Sequence, residues 1–452
     1  MGELAGTAPL NNAENGTSVP PDHDMTRIGI ITTEMPPFLP APTAGGGVRM
    51  WGIGSGLVER GHEIIYFVPG SVLGNLSNDT TRAYLPESLE HQLSQAQIEM
   101  AIFEQWQPVA YLPGRLDIPT VIDLPGPLLL EYLWREPEAV NRHITDKIRC
   151  LSMADRFLIA TPRQEYYYIP WLLLAGIDVT TSGPFLCPFG LPVLPKCRQG
   201  MVFDEPRFFF GGVFWPWQDP CAYLRTVLER MTRARRGQLV IIGGSHPYHA
   251  HPTPKRDFQD ILDHPHTSFL GTLPFSDFVT ELRHATVALD LAPPSPEREL
   301  ACPLRTGVAL WSGTPVFIAP HSAWSDSVSQ RNAGWIVPSS TDQTFIHTID
   351  GLLRDSVDFK IKAEGARSLA QHELDAQENV AALDQYIRRP IRRPAAQTRL
   401  DRRTTERENV IRTLERDLAA LKHKHDASES DLRAIRSKTL FRLYKRIQSF
   451  FE

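Results

Sequence analysis

The stretch that decides the fold is 27–69, RIGIITTEMPPFLPAPTAGGGVRMWGIGSGLVERGHEIIYFVP. Its first part, Arg27–Thr33, is a short apolar run with β-branched residues, which predicts a buried strand. A loop rich in proline and glycine follows at Glu34–Gly47, and Val48–Arg60 then carries apolar residues at helical spacing. His62–Pro69 predicts the next strand. Strand, glycine loop, helix and strand form a βαβ unit, so we expect a parallel sheet.

The same alternation continues through the first half of the chain. Further strands are predicted at Val109–Leu112, Thr120–Asp123, Arg156–Ala160 and Phe185–Pro188, with helices at Leu128–Arg135, Glu138–Met153 and Gln164–Ala175. A turn-rich linker follows at 193–206.

A second series of similar length then begins. Its predicted strands are Arg207–Gly212, Gln238–Gly244, Thr267–Leu270, Val287–Leu291, Pro315–Ile318 and Gly334–Val337, and its helices are Asp219–Arg233, Pro274–His284, Leu304–Ser312 and Asp342–Arg354. We therefore predict an α/β protein of two tandem Rossmann-like domains, at 26–198 and 199–384, with a cleft between them. We expect residues 1–25 to be a disordered leader and 385–452 a separate helical tail.

The tail differs from the body in charge. It holds 18 Lys and Arg residues and nine Asp and Glu residues, so it carries +9, whereas the whole chain carries −5 and the remainder therefore −14. A heptad pattern at 411–435 predicts a coiled coil that can form a homodimer. An amphipathic helix at 437–452, apolar on one face and basic on the other, predicts binding to an anionic membrane surface or packing on the body or within an oligomer. Nucleic acid is disfavoured because the body is acidic and no recognised binding motif appears.

Composition narrows the class of protein to which the chain can belong. Hydrophobic residues make up 42% and charged residues 22% of the 452 residues, typical of a soluble protein. The five cysteines are scattered without a C-x-x-C pair, which predicts a reducing, cytoplasmic setting without disulfides or a zinc site. The cluster His246, His249 and His251 lies in a proline-rich loop and is interpreted as solvated histidines, so no metal is expected.

Ligands of doubly wound sheets bind beyond the carboxyl ends of the strands, so the candidate site residues lie in the following loops. In the first domain, Gly45, Gly46 and Gly47 open a helix whose N–H groups attract phosphate, and Arg49 adds a cation. Asp123 ends a strand and is interpreted either as a catalytic carboxylate or as a helix cap.

The second domain offers more candidates. Gly211 and Gly212, with Gly243 and Gly244, allow a diphosphate to approach two strand ends, and His246 lies where it can touch a nucleotide. The segment after the fourth strand can supply hydrogen-bond acceptors for a ribose and a cation that stabilises a departing nucleotide. Its candidate residues are Glu297, Glu299, Arg305 and Thr306. The alternative is a surface loop with a local salt bridge.

Together these segments resemble the GT-B glycosyltransferases, specifically the family 4-like group (glycosyl transferases group 1). The matching stretches, in order, are RIGIITTEMPP with GGGVR, VIDLPGPLLLE, DRFLIATPRQEYYY, CPFGLP, FFFGGVFWPWQDP, VIIGGSHP, SFLGTLPFSDF and ERELACPLRTGVALWSGTPV. The family's paired glutamates, separated by seven residues, fall here on Leu300 and Val308, so Glu297 and Glu299 lie out of that register.

The resemblance implies transfer of a sugar from a nucleotide-sugar donor, without metal or other cofactor. The donor would lie mainly on the second domain, with Glu297 or Glu299 at the ribose or sugar hydroxyls and Arg305 at the diphosphate. The acceptor, a glycan or lipid-linked molecule, would lie on the first domain, with Gly45–Gly47 at the reacting end. Two alternatives stay open, namely a sugar-nucleotide epimerase of the same fold and a non-catalytic scaffold.

Overall fold

The first domain is built on a parallel seven-stranded sheet. The computed structural model describes residues 25–193, 205–248, 258–354 and 357–394, together with parts of 409–448. The strands lie in the order β3-β2-β1-β4-β5-β6-β7. They are β1 Arg27–Ile31, β2 Glu63–Pro69, β3 Thr81–Tyr84, β4 Met100–Glu104, β5 Thr120–Asp123, β6 Arg156–Ile159 and β7 Phe185–Leu186.

Helices cover this sheet on both faces, as a parallel sheet requires. They are α1 Gly45–Glu59, α2 Gly70–Leu73, α3 Leu89–Gln95, α4 Leu128–Arg135, α5 Val140–Met153, α6 Pro162–Leu174 and α7 Val179–Ser182. Strand β1 pairs with β2 on one side and with β4 on the other, so the strand order reverses next to β1. A ligand crevice is expected at this point of reversal.

The second domain repeats the design with a six-stranded parallel sheet in the order β10-β9-β8-β11-β12-β13. Its strands are β8 Arg207–Val213, β9 Gln238–Gly244, β10 Thr267–Phe269, β11 Val287–Asp290, β12 Val316–Ile318 and β13 Gly334–Ile336. Its helices are α8 Cys221–Ala234, α9 Gln259–Leu262, α10 Phe275–Arg283, α11 Pro296–Leu300, α12 Leu304–Trp311, α13 Ser325–Gln330, α14 Gln343–Arg354 and α15 Val357–Glu373. The two parallel sheets confirm the prediction of two tandem Rossmann-like domains.

The chain then returns to the first domain. Helices α16 Ala376–Asn379 and α17 Ala381–Arg388 follow α15, and α16 packs on α1. Leu383 and Ile387 lie in one apolar cluster with Met50 and Leu57. The C-terminal helices therefore complete the core of the first domain.

The predicted boundary between body and tail, at 384/385, falls inside this returning segment. Arg388 donates to the carbonyl of Arg60 at 2.8 Å, and Arg393 donates to the carbonyl of Ala154 at 2.7 Å. The chain separates into two compact units at 396/397. The tail thus begins about a dozen residues later than predicted, because the arginines that follow 384 bind backbone carbonyls of the first domain.

Three elements of the first domain differ from the sequence prediction. Strands β3 and β4 were not predicted, although β4 lies at the centre of the sheet. The strand predicted at Val109–Leu112 is wrong, since Pro108–Tyr111 forms a 3-10 helix with proline at its first position. Two further 3-10 helices lie at Pro86–Ser88 and Pro137–Ala139.

The second unit is described only in part. Ile411, Leu414, Leu418 and Leu421 of the predicted heptads are helical and exposed, and so are Leu440, Leu443 and Ile447 of the predicted amphipathic helix. Other predicted features lie outside the described residues: the leader up to residue 24, most of the linker, Cys197, His249, His251, Ile435, Phe450 and Phe451. Among the described residues, every helix is too short or too polar to cross a bilayer.

Candidate active site

A cavity of about 530 Å³ lies between the two domains, a volume suited to a small-molecule ligand. Its walls come from the loops after β1, β4 and β5 in the first domain and from the ends of β8 and β9 in the second. The carboxyl edges of both sheets therefore face one space. Eight predicted site residues line it: Gly45, Gly46, Gly212, Gly243, Gly244, His246, Glu297 and Arg305.

The glycines on the first-domain side let a carboxyl group approach the start of α1. A Cβ added to Gly46 would lie 1.5 Å from Oε1 of Glu104, so any larger residue here would displace the Glu104 carboxyl group. Glu104 ends β4, and its Oε2 accepts hydrogen bonds from the Thr32 hydroxyl and, at 3.0 Å, from the Thr33 N–H. Glycine at 46 thus places a carboxyl group against the helix N-terminus.

The environment of Glu104 favours its neutral form. Burial, followed by the nearby Glu34 carboxylate, raises the pKa of Glu104 to about 8, although the bonds from Thr32 and Thr33 oppose the shift. Near neutral pH the carboxyl group therefore holds a proton that it can donate within the cavity.

A direct hydrogen bond joins the two domains across the same cavity. His246, in the loop after β9, lies with Nε2 2.9 Å from Oε1 of Glu34, in the loop after β1. Its Nδ1 accepts a hydrogen bond from the N–H of Tyr248 at 3.2 Å, so Nε2 carries the proton and donates to Glu34. The Tyr248 hydroxyl donates to the carbonyl of Pro42 at 2.5 Å, a second link between the domains.

On the second-domain side, Arg305 lies over the end of β8. A Cβ at Gly212 would be 3.6 Å from the Arg305 guanidinium carbon, and the φ of Gly212, +110°, favours glycine. Arg305 donates to Oε1 of Gln218 at 2.8 Å, and its Nε lies 3.8 Å from Oδ1 of Asp290. The guanidinium is therefore held at the strand end where a diphosphate can approach.

Asp290 organises this group of side chains. It accepts from Arg298 at 3.0 Å and from the Thr306 hydroxyl at 2.5 Å. Burial alone would raise the pKa of Asp290, but Arg298, Arg305 and Thr306 hold it below its ordinary value. The carboxylate is thus ionised and fixes the orientation of Arg305.

Two carboxyl groups approach each other from opposite domains. Glu297 on α11 accepts from Gln218 at 3.3 Å, and its Oε2 is buried without a hydrogen-bond partner among the described residues. Burial raises the pKa of Glu297, and burial followed by the Glu297 charge raises the pKa of Glu131 on α4 to about 8. Both groups line the cavity and can hydrogen-bond a polar ligand.

The structure corrects the predicted placement of Asp123 and Arg49. Arg49 donates through Nε and Nη2 to the two carboxylate oxygens of Asp123, both at 2.7 Å, and also to the carbonyl of Cys187 at 2.9 Å. The two side chains are 1% and 0% exposed, and neither lines the cavity. This buried ion pair joins β5 to α1 and leaves Asp123 no access to a substrate.

Four other predicted residues also lie outside the cavity lining. Gly47 packs against the carbonyl of Met35, and Gly211 packs between the rings of Phe209 and Phe278. Thr306 is buried and acts on Asp290. Glu299 is exposed on α11, because the short helix Pro296–Leu300 places Glu297 and Arg298, rather than Glu299, on the cavity side.

Comparison with solved structures identifies the fold. Sucrose-phosphate synthase from Thermosynechococcus elongatus matches with a TM-score of 0.59 and 15% identity, over 80% of this chain and 98% of that one. HepE of Anabaena in complex with UDP-glucose gives 0.55 and 12%, over 80% and 99%. WaaG, a glycosyltransferase involved in lipopolysaccharide biosynthesis, gives 0.54 and 12%, over 80% and 99%. The chain has the GT-B fold. No protein-family model and no curated protein matches it.

Sequence reasoning missed four residues that line this GT-B cavity, Glu34, Glu104, Glu131 and Arg135, and also Asp290, which orients Arg305. A usable signal existed for three of them, since Glu34 closely follows β1, Glu104 ends β4 and Asp290 ends β11. Glu131 and Arg135 lie on α4, and nothing in their local sequence distinguishes them from solvated helix residues. Their place in the cavity depends on how the two GT-B domains meet.

The described residues of the GT-B body include no group of three or more His, Cys, Asp or Glu side chains able to hold a metal ion. The cations in the cavity lining are arginines, chiefly Arg135, Arg298 and Arg305.

Proposed function

We propose that this GT-B protein is a glycosyltransferase that moves a sugar from a nucleotide-sugar donor to a glycan or lipid-linked acceptor. The observation that supports it best is the position of Arg305. Its guanidinium lies beside Gly212 at a strand end, in a cavity whose opposite wall begins with the glycine N-terminus of α1. A cation and a helix N-terminus together favour an anionic ligand such as a diphosphate.

The reaction would break the bond between the anomeric carbon and the diphosphate and form a bond to an acceptor hydroxyl, which loses its proton. Arg305 would offset the negative charge that develops on the departing diphosphate. In other enzymes a metal ion stabilises this charge. We therefore propose that transfer needs no metal. Glu297, with a buried carboxylate oxygen, would accept hydrogen bonds from donor hydroxyls.

The tail would bring the enzyme to its acceptor. Leu440, Leu443 and Ile447 are exposed and recur at helical spacing, while Arg442 and Lys445 lie between them. Such a helix suits the interface of an anionic membrane, where each cation contributes about 1 kcal/mol. We propose peripheral binding at the cytoplasmic face, tested by salt-sensitive sedimentation with anionic vesicles, before and after removal of residues 437–452.

The exposed seam Ile411, Leu414, Leu418 and Leu421 is suited to a second copy of the chain. We propose a homodimer through this segment. Sedimentation equilibrium of the full chain and of a chain ending at 396 tests it, and a monomer in both cases contradicts it.

The donor is tested by calorimetry with UDP, GDP and dTDP, followed by nucleoside diphosphate release from the matching sugar nucleotides with and without EDTA. Arg305→Gln should weaken binding of the diphosphate and reduce transfer by about 10²-fold or more, since it removes a charged donor from the reacting centre. Arg233→Gln on the exposed face of α8 is the matched control. Absence of binding to all three diphosphates would reject the proposal, and loss of activity in EDTA would reject metal independence.

A further inference from the structure

An arginine of the first domain lies between two aromatic rings at the cavity wall. The guanidinium carbon of Arg135, the last residue of α4, is 5.5 Å from the ring centre of Tyr132 and 5.4 Å from that of Trp215. Tyr132 belongs to the first domain and Trp215 to the second, and all three residues line the cavity. Both rings are within cation–π distance of the guanidinium and favour its position at the cavity wall.

The rings themselves are fixed by further contacts. Tyr132 stacks on His143 with centroids 3.7 Å apart and receives a hydrogen bond from Gln107 at 3.2 Å. Trp215 stacks on Trp217 at 4.8 Å. The guanidinium therefore sits in a prearranged aromatic frame, which lowers the entropic cost of binding a ligand there.

Among the residues that the structure describes, no carboxylate forms an ion pair with the Arg135 guanidinium. Among the described residues, the buried Nε of Arg135 has no hydrogen-bond partner, and no ion pair to this side chain is present. The adjacent carboxylate of Glu136 is instead bound to Nε2 of His143 at 3.0 Å. Burial and the nearby Glu297 raise the pKa of Glu131 to about 8, although the Arg135 charge opposes the shift, so that carboxyl group is largely neutral near pH 7. The cation thus retains its capacity for an anion.

We propose that Arg135, framed by Tyr132 and Trp215, binds an oxyanion carried by the acceptor, so that the acceptor is an acidic sugar. A guanidinium binds carboxylate and phosphate oxygens through two parallel hydrogen bonds, and aromatic faces stack on pyranose rings beside it. The neighbouring amides of Gln105 and Gln107 supply donors and acceptors for sugar hydroxyls. The inference that this ligand is the acceptor rests on the proposed glycosyltransferase function; binding of the acidic sugar does not.

The test uses three small sugars with the full-length protein: methyl glucuronide, glucose 6-phosphate and the neutral methyl glucoside. Their affinities are measured by ligand-observed NMR or calorimetry, with and without the bound nucleoside diphosphate. One or both acidic sugars should bind more tightly than the neutral one, and the better of the two identifies carboxylate or phosphate as the preferred anion. Inorganic phosphate alone separates recognition of the anion from recognition of the sugar.

Arg135→Gln should weaken the preferred acidic sugar about tenfold or more and leave the neutral sugar unchanged, because only the charged hydrogen bonds are lost. Arg135→Lys should retain part of the affinity, because lysine keeps the positive charge but cannot donate two parallel hydrogen bonds. Arg142→Gln on the exposed face of α5, which removes the same charge outside the cavity, is the control.

Equal affinities for all three sugars, or an unchanged affinity in Arg135→Gln, would overturn the proposal. Weaker nucleoside diphosphate binding in Arg135→Gln, with acidic-sugar binding unaffected, would assign the arginine to the donor instead and also overturn it. A protein that binds the acidic sugar but no nucleotide would contradict the glycosyltransferase function while keeping the anion site.

Discussion

Glu104 places a carboxyl group at the N-terminus of a helix, a position suited to binding a phosphate. It lies against Gly46 at the start of α1, and its proton is retained because burial and Glu34 disfavour the charged form. When neutral, the group can donate a hydrogen bond to a ligand oxygen. When ionised, it would repel the same ligand and compete for the N–H groups of the helix.

This carboxyl group predicts a pH dependence of nucleotide binding. As pH rises through about 8, Glu104 loses its proton, so the affinity for the nucleoside diphosphate should fall by up to about tenfold per pH unit. Glu104→Gln, which is neutral at every pH, should bind with nearly constant affinity. Calorimetry between pH 7 and 9.5, a range above the second phosphate ionisation at about 6, checks this prediction.

The pH dependence of the stability of the same variant tests the protonation state of Glu104 independently. The folded protein binds more protons than the unfolded chain between the ordinary glutamate pKa and about 8, so this carboxyl group lowers the free energy of unfolding as pH rises through that window. Glu104→Gln should lack this decrease. An affinity and a stability that follow pH identically in both proteins would show that Glu104 is ionised throughout.

The buried pair Arg49 and Asp123 predicts a structural defect rather than a catalytic one. Asp123→Asn leaves the Arg49 charge uncompensated in the core and should lower the free energy of unfolding by about 3–5 kcal/mol, measured by urea denaturation. The double variant Arg49→Met, Asp123→Leu should recover much of this loss. The exposed pair Arg225 and Asp260, whose disruption should cost at most about 1 kcal/mol, is the matched control.

Local sequence located some residues of the site and not others, for a physical reason. Glycines at strand ends, such as Gly212 and Gly243, indicate that another group approaches the backbone closely, whatever the arrangement of the two domains. Arg305 lies in the segment after a strand, which is also a local signal. Asp123 has the same local pattern as Glu104, a carboxylate that ends a parallel strand. Only the packing of Arg49 from α1 decides that Asp123 is buried and Glu104 faces the cavity.

At the scale of elements, α5 and α6 meet around a buried lysine. Lys147 on α5 is 1% exposed, and its Nζ lies 4.8, 4.7 and 4.2 Å from the ring centres of Tyr167, Tyr168 and Trp171 on α6. Within the described residues this ammonium group has no hydrogen-bond partner. Burial lowers the pKa of Lys147 well below its ordinary value.

The lysine makes the stability of this helix pair depend on pH. Between the lowered pKa and the ordinary value near about 10.4, the unfolded chain binds one proton more than the folded one, so the free energy of unfolding should rise with pH by up to about 1.4 kcal/mol per unit. Lys147→Met should remove this slope. Urea denaturation at several pH values measures it, with exposed Lys360→Met as control; a slope equal in all three proteins contradicts the prediction.

The prediction of elements succeeded where a segment carried its own signal. Strand β1 is an apolar run, and α12 ends at Trp311, two residues before Gly313, so both were predicted with nearly correct bounds. Strand β4 was missed because Met100–Glu104 continues the apolar spacing of α3 without a glycine or proline to mark its start. Its pairing with β1 and β5 is a tertiary effect that local pattern does not contain.

At the scale of the whole molecule, the last helix of the body holds the first domain together. Asp384 on α17 is 2.8 Å from Nε2 of His62, 3.2 Å from Arg60 and 2.9 Å from Arg388. His62 is itself buried, at 4% exposed, and needs this partner. Since α17 follows the second domain in the chain, the first domain depends on a segment that lies beyond the second.

Two truncations separate the body from the tail. A chain that ends at Ala396 keeps α17, Arg392 and Arg393 with their contacts to the first domain, so its melting temperature and nucleoside diphosphate affinity should equal those of the full chain. A chain that ends at Val380 loses the buried Leu383 and Ile387 as well as Asp384, and should be destabilised by more than about 4 kcal/mol. Scanning calorimetry and nucleotide titration compare the three proteins.

Because loss of folding in the shorter chain would leave no affinity to measure, Asp384→Asn in the full chain provides the second measurement. It removes the charge that faces His62, Arg60 and Arg388 while keeping the helix, and it should lower the free energy of unfolding by about 1–3 kcal/mol without changing nucleotide affinity. Equal stability of all the variants would mean that α17 is not part of the folded body. A loss of nucleotide binding in the chain ending at Ala396 would instead place residues of the tail in the donor site, against the assignment of that site to the GT-B cavity.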